Sequence, residues 1–492
     1  MNDNDNFDVI IIGGGPAGYC AALRLLYLGH KIALIEQEVF PREQIGESLS
    51  PGVWNIFSYL NASHLLENAG YVKELNASVI WETKEKHTIS VEQRGPGIMV
   101  DRGRLDADML DLAVQHGLYL FQPAKFEACA NANGQWAVYL RYENTKKNIT
   151  ARFVFDARGR KGASFNDSIL TAPPTVAVWA HADSDLFPKE TIIEATKDGW
   201  LWGSPTADKG FRVMAFTDPK EIKENKLPAV FYRLISGSLL FKAAAEGLQS
   251  QKLQTCSVLH YVHNNPWADN YIRLGESAFT LDPLSSTGFE KAMRFSLQAA
   301  IAINTILKSG ETEMAKSFYE DRLIESVATH AQWGRDYYAQ AWPGTSYSFW
   351  RDRSAYYLDT SGTKTPFFNK VQAKMAGAHE NINAFTYPEV NVKSVLDTLW
   401  ASKVTLSPAI SYIKTPCVID DHLELKTAIM HPNLDRETAY IEQVELMPLL
   451  KMVPETDTFG ALIYQWSKLM AFKQAARTGV HLYTLGLINT AV

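Results

Sequence analysis

Apolar positions set the first elements of the chain. FDVIII (Phe7 to Ile12) is apolar at every position but one, which predicts a strand buried on both faces. GGGP follows as a turn, AGYCAALRLLY carries apolar residues at helical spacing to about Tyr27, and KIALIE predicts a second strand ending at Glu36. Strand, helix and strand in this order form the βαβ unit of a parallel sheet. Farther on, Val100 to Ala113 reads as an Arg followed by an amphipathic helix, and RFVFD and YIRLG read as two more strands. Near the C-terminus the pattern predicts a helix over Pro388 to Ser402 and strands within SPAISYIKTPCVIDDHLELKTAIMH. One amphipathic helix is expected over Thr458 to Gly479, with Leu462, Trp466, Leu469 and Phe472 as its stripe and Gly479 as its stop.

Length changes this picture only by multiplying it. At 492 residues the chain exceeds the ~250–300 at which a single core stops growing, so two or three structural units are expected. Forty-eight Lys and Arg against 54 Asp and Glu leave a net charge of −6, which argues against a nucleic-acid surface. Cys20, Cys129, Cys256 and Cys417 lie far apart, suggesting neither a disulfide framework nor a zinc site. The 12 histidines show no HxxxH or HExxH spacing, so no metal is expected; His260 and His263, in HYVH, read as structural residues that would pair if on a helix. MNDNDNFD lacks a secretory signature and LQAAIAINTIL is too short to span a bilayer, so a cytoplasmic protein without a membrane role is expected.

The glycines of the first turn carry chemistry. Gly13, Gly15 and Gly18 form GxGxxG between a strand and a helix, the context in which the motif binds a dinucleotide. Gly13 permits the tight turn, Gly15 admits a pyrophosphate to the backbone, and Gly18 lets the helix pack on the sheet. Pro16 and Ala17 open that helix, whose N-terminus faces the phosphates. Glu36 ends the second strand, where an acid accepts hydrogen bonds from a ribose. NAD and FAD share this fingerprint.

Three further stretches separate them: VDRGRLDADMLDLA with Arg102, ARFVFDARGRKGA with Asp156, and IRLGESAFTLDPLSSTGFEKAM with Gly275, Glu276 and Pro283. In this order they resemble the FAD-dependent monooxygenases of the glutathione-reductase-like class, in which the chain returns repeatedly to one FAD. That resemblance implies FAD, with Glu276 in a position usually held by Asp that contacts the ribityl chain or its ribose. REQIGESL, Arg42 to Leu49, resembles the branch containing the flavin-dependent halogenases, where it runs along the flavin ring. Gly46 would then let the backbone lie near the ring, with Glu47 beside it and Ser48 as a hydrogen-bond donor. Trp200, Trp202 and Pro205 in DGWLWGSP match the WxWxIP of halogenases except for Ser204, although such a segment also serves as a core strand. The resemblance extends over about residues 7 to 330.

Within that branch, SSTGF places the Thr287 and Gly288 amides at a helix N-terminus beside the flavin, suited to a halide or a reduced-flavin anion alike. Ser48, Thr287 and Gly288 are the candidates lining the reactive side. The halogenase lysine falls in a segment like KxGAxFxW, and ELNASVIW here has Glu74 in that place and Lys73 one residue earlier, facing the other way on a strand. The glutamate that tryptophan halogenases use is Ser285 here. GESLSPG, DPLSSTGF, the missing lysine and a long C-terminal extension resemble instead the flavoproteins required for tryptophylquinone biogenesis in lysine-oxidase, glycine-oxidase and quinohemoprotein amine dehydrogenase systems.

This resemblance implies an FAD-dependent monooxygenase that hydroxylates a tryptophan of a quinoprotein precursor. It draws electrons from an external flavin reductase or reductant, since no nicotinamide site is legible. A halogenase of an aromatic or carrier-tethered substrate, a flavin reductase of isoprenoid double bonds, and a non-catalytic flavin-binding chaperone are the alternatives. The expected architecture is α/β: an FAD-binding Rossmann-like domain over 1–340, with a β-rich substrate region inserted at about 72–100 and 165–270, and a mainly helical C-terminal domain over 341–492 that forms a substrate wall or docks the partner.

Overall fold

The computed structural model describes residues 5–490 apart from 208–209, 249–250, 359–364, 382–390, 435 and 442. Strand β1 (Asn6–Ile12), helix α1 (Pro16–Tyr27) and strand β2 (Ile32–Ile35) form the expected unit. β1 lies in the middle of a parallel sheet, pairing with β2 on one side and strand Thr145–Asp156 on the other. Tyr119–Phe121 and Tyr271–Arg273 extend the sheet outward in parallel. Because both faces of β1 are covered, Val9, Ile10 and Ile11 are fully buried and polar alternation is absent.

A second, seven-stranded sheet is built from the two insertions. Its order runs Gln254–Val258, Thr175–Ala182, Gly210–Thr217, Gly199–Thr206, Thr191–Thr196, Ala77–Ile80 and His87–Ile89. The period of two along GWLWGSPT sorts its residues: Leu201 joins the core under helix Leu227–Ser236, while Trp200 and Trp202 join an aromatic core on the other face. Trp200 stacks on Phe216 at 3.8 Å between centroids, and Trp81 meets Trp350 edge-on at 5.4 Å. The WxWxxP segment is thus a core strand whose rings are packed.

The chain divides into two compact units, Met1–Asn304 with Tyr319–Ala376, and Thr305–Phe318 with Gly377–Val492. The division falls at 376/377, not at 340/341 where the composition changes. The aromatic segment after Gln340 continues the first unit's core: the Trp342 amide donates to Trp81 O at 2.7 Å, and Trp350 Nε1 donates to Thr196 O at 2.9 Å.

The second unit holds helices Val392–Leu399, Leu446–Met452, Phe459–Trp466 and Phe472–Thr484, with a hairpin of Ser411–Ile419 and His422–Met430. The single helix expected over 458–479 is two helices, separated by a turn at 467–471. Leu462 and Trp466 are buried, but Leu469 lies in the turn and Phe472 starts the second helix, both exposed. Gly479 is no stop; it sits inside the second helix, where a Cβ would come 2.4 Å from the Ile463 Cδ1 and 2.9 Å from the Phe459 ring. Two helices folded on each other need that gap, and a stripe along one helix does not reveal it. Gly479→Ala is expected to destabilise the protein by about 1–3 kcal/mol through overpacking, read as a lower urea midpoint at unchanged m.

Candidate functional site

The glycine turn after β1 is shaped by three different demands. Gly13 has φ 109°, and a Cβ there would lie 2.4 Å from Ala157 O; one on Gly18 would lie 1.9 Å from Gly13 O. These two close the turn against the neighbouring strand and seat the helix. Gly15 is different, with only the tip of Arg42 at 3.8 Å from its would-be Cβ, so its backbone is open to a ligand. Pro16 takes the first position of α1, and Ala17 is buried behind it. Glu36 is buried and accepts from the Gly14 amide at 2.6 Å and the Glu38 amide at 2.7 Å, with Arg42 Nη1 at 4.0 Å. Open amides, a helix dipole and a nearby guanidinium suit a pyrophosphate, and Glu36 suits a ribose.

The GESLSPG segment is fixed from both ends. Arg102, buried at the start of helix Arg102–Gln115, donates to Ile45 O at 3.2 Å and Gly46 O at 3.4 Å. It is held by Asp106 at 2.9 Å, which also accepts from the Tyr19 hydroxyl, and Phe289 lies 4.8 Å beneath its guanidinium. Gly46 takes φ 96°, and Glu47 is ion-paired with Arg212 of the second sheet. Ser48 and Leu49 form a short strand against Ile98–Met99. At the far end, Ser50 Oγ donates to Glu290 at 2.6 Å, and a Cβ on Gly52 would meet that carboxyl at 2.3 Å.

Asp282, Pro283, Leu284 and Ser285 form a turn that leads into helix Gly288–Ser309. Ser285 Oγ and Thr287 Oγ1 are hydrogen-bonded at 2.9 Å, and nothing lies within 4 Å of a would-be Cβ on Gly288. The start of this helix is therefore open at Gly288, while the Thr287 amide donates to Ser285 Oγ at 3.3 Å. Phe289 under Arg102 links it to the Gly46 loop.

Asp156 takes a supporting position. It is fully buried and accepts from Arg158 Nη2 at 2.7 Å, Tyr271 at 2.7 Å, Arg273 at 3.2 Å and Ser277 at 3.4 Å. Burial pushes its carboxyl up, but the hydrogen bonds and charge of Arg158 outweigh it and hold it below the usual range. Its contribution to stability is therefore present above the ordinary carboxylate pKa and is lost as pH falls through the depressed one. Asp156→Asn leaves the partly exposed Arg158 and Arg273 short of a counter-charge, and a loss of about 1–3 kcal/mol in urea unfolding is expected. Nearby, Gly275 at φ 55° lets its loop approach Ala17, and half-exposed Glu276 faces Arg160 at 3.4 Å.

Lys73 ends the short strand Val72–Lys73 against Ile98–Met99, and Glu74 follows outside it, so the two do not alternate along one strand as expected. Lys73 Nζ is tied to Glu67 at 2.8 Å, while Glu74 is exposed at φ 58°. His260 and His263 are at a strand, not on a helix, and both are buried. Arg42, Arg212 and Glu290 escaped the sequence reading of roles; only Arg42, inside REQIGESL, carried a local signal. Among the described residues no cluster of His, Cys, Asp and Glu could hold a metal, and no helix is long and apolar enough to cross a membrane.

Residues 7–113 match the family described as pyridine nucleotide-disulphide oxidoreductase. The tryptophan 2-halogenase of Chondromyces crocatus is 23% identical over 424 residues, covering 82% of this chain and 76% of that protein. The structure of CmlS, a flavin-dependent halogenase, superposes with a TM-score of 0.74 at 19% identity, covering 99% of this chain and 96% of the other. That of QhpG, a peptidyl tryptophan dihydroxylase essential for tryptophylquinone cofactor biogenesis, gives 0.71 at 19% identity, covering 98% of this chain and all (100%) of the other. The chain is an FAD-binding oxidoreductase with the fold of the flavin-dependent halogenases.

Proposed function

We propose that this FAD-dependent oxidoreductase is a monooxygenase that hydroxylates a tryptophan side chain of a quinoprotein precursor during tryptophylquinone maturation. The observation that carries the reading is the position of Lys73, whose amine is engaged by Glu67 where a halogenase needs a free lysine in its substrate cavity. Ser285, in the place of the second halogenating residue, is engaged with Thr287. The fold likeness to the peptidyl tryptophan dihydroxylase over nearly the whole of both chains supports the same reading. Halogenation of an aromatic substrate is the second reading, favoured by the tryptophan 2-halogenase relative.

In the proposed site, Gly13, Gly15, Pro16, Ala17 and Gly18 hold the pyrophosphate, and Glu36 holds the ribose. Gly275 and Glu276 border the ribityl chain, with Asp156 fixing their loop from behind. Gly46, Glu47, Ser48, Pro283, Thr287 and Gly288 border the ring, and Arg102 sets the distance between the two loops. FAD held by these residues and reduced by an external reductase would supply the dioxygen activation that hydroxylation of the substrate ring needs. The second unit is the proposed docking part, and its exposed Trp400, Phe472 and Tyr464 rings lie 6.3–6.4 Å apart in succession. Co-expression with a quinoprotein precursor is expected to add oxygen to one tryptophan, seen by peptide mass spectrometry. An unmodified precursor beside a fully FAD-loaded enzyme would sink the reading.

A further inference from the structure

The aromatic face of the second sheet ends in polar residues. Its register sets Trp202, Met214 and Trp179 side by side on neighbouring strands, and two residues farther along those strands it sets Ser204, Arg212 and His181 side by side. Because side chains alternate between faces along a strand, this polar row shares the face of the tryptophans. Ser204, the position that departs from WxWxIP, is fully buried, with its Oγ 3.4 Å from Thr191 Oγ1. Arg212 is 6% exposed; its Nη2 donates to His181 Nε2 at 3.3 Å, and its Nε has no hydrogen-bond partner. A guanidinium buried beside an apolar face carries a desolvation cost that a hydrocarbon side chain there would not.

What Arg212 meets is Glu47, whose side chain is 12% exposed and which stands between Gly46 and Ser48 in the GESLSPG loop. The loop is thereby held twice, from two different parts of the first unit. Arg102, at the start of its own helix, takes the loop's backbone at Ile45 O and Gly46 O; Arg212, in the inserted sheet, takes its side chain. A buried ion pair stabilises little beyond apolar packing of the same volume, but it is strict about register, because a displaced loop leaves two buried charges unpaired. The Arg102 contacts carry no information about where the second sheet lies. The Arg212 contact does.

We propose that Arg212 is a positioning residue that acts through Glu47: it ties the loop bordering the flavin ring to the aromatic face of the second sheet, so that cofactor ring and substrate-binding surface keep one spacing. The proposal rests on the placement of that loop in the monooxygenase reading and deepens it, since oxygen transfer to one carbon of a substrate ring requires cofactor and substrate in one fixed geometry.

Visible circular dichroism of the FAD-loaded protein and its FAD dissociation constant test this, in Glu47→Gln, Arg212→Met, the double variant and Arg212→Lys. Each of the first two is expected to alter the flavin dichroism and to weaken FAD binding about tenfold, and the double variant to bind no more weakly than the weaker single one, because both remove the same contact. Arg212→Lys, which keeps the charge, should fall between these and the wild type. A role confined to sheet stability predicts lower urea midpoints with wild-type dichroism and affinity, and that pattern overturns the proposal. Single effects that multiply in the double variant overturn it too. Should Arg212→Met not fold, Glu47→Gln decides alone, since wild-type dichroism and affinity in that protein have the same force. None of these measurements uses turnover: an unmodified precursor removes the monooxygenase reading and leaves the clamp standing, whereas an unchanged flavin removes the clamp and leaves that reading standing.

Discussion

Gly15→Asp protein is expected to fold and to bind no FAD. The new side chain has space, since only the flexible tip of Arg42 lies near the would-be Cβ, at 3.8 Å, and a carboxylate there gains an ion pair with that arginine. The same carboxylate stands where the pyrophosphate would lie. Two like charges at 4 Å with an effective dielectric of 20 repel by about 4 kcal/mol, roughly a thousandfold in affinity. Absorbance titration with FAD should show the flavin spectrum of bound cofactor in the wild type and free flavin only in the variant, while circular dichroism and the urea midpoint stay close to wild type. Gly18→Ala serves as the contrast, because its Cβ would lie 1.9 Å from Gly13 O and the seat of α1 must shift. That variant should lose stability as well as FAD. If Gly15→Asp retains FAD, the assignment of this turn to the pyrophosphate is wrong.

The two glycines also show what the sequence could disclose. Strand, turn, helix and terminal acid lie within one short stretch, and their geometry follows from local sterics, so β1, α1, β2 and the place of Glu36 were legible. The GESLSPG segment was legible only as a loop with a family resemblance. What holds it comes from far along the chain: Arg102, Arg212 and Glu290. Asp156 could be singled out by its place at a strand end, but its partners Tyr271, Arg273 and Ser277 come from a strand and loop that only the sheet order brings near. Composition misplaced the end of the first unit for a related reason. Trp342 and Trp350 differ from the residues before them, yet they complete the core that Trp81 and Trp200 begin. A periodic stripe likewise cannot show a chain folding back on itself, as it does at 467–471.

Reduced FAD supplied with chloride or bromide is expected to give no halogenated product from any aromatic acceptor. A relay of activated halide needs an amine that is free, neutral part of the time and turned into the substrate cavity. Lys73 fails the first requirement, because its amine is tied to Glu67 at 2.8 Å. Glu74, at the position the lysine holds in halogenases, has the opposite charge and is exposed. Lys291 must be tested beside it, because burial lowers its pKa and it lies in the first turn of the helix that Gly288 begins. Mass spectrometry of reactions with wild-type, Lys73→Ala and Lys291→Ala proteins then discriminates. Oxygenated product in both lysine variants and halogenated product in none is the expected pattern. Halogenated product from the wild type that disappears in either variant would name the relay lysine and turn the assignment to a halogenase, in line with the tryptophan 2-halogenase relative.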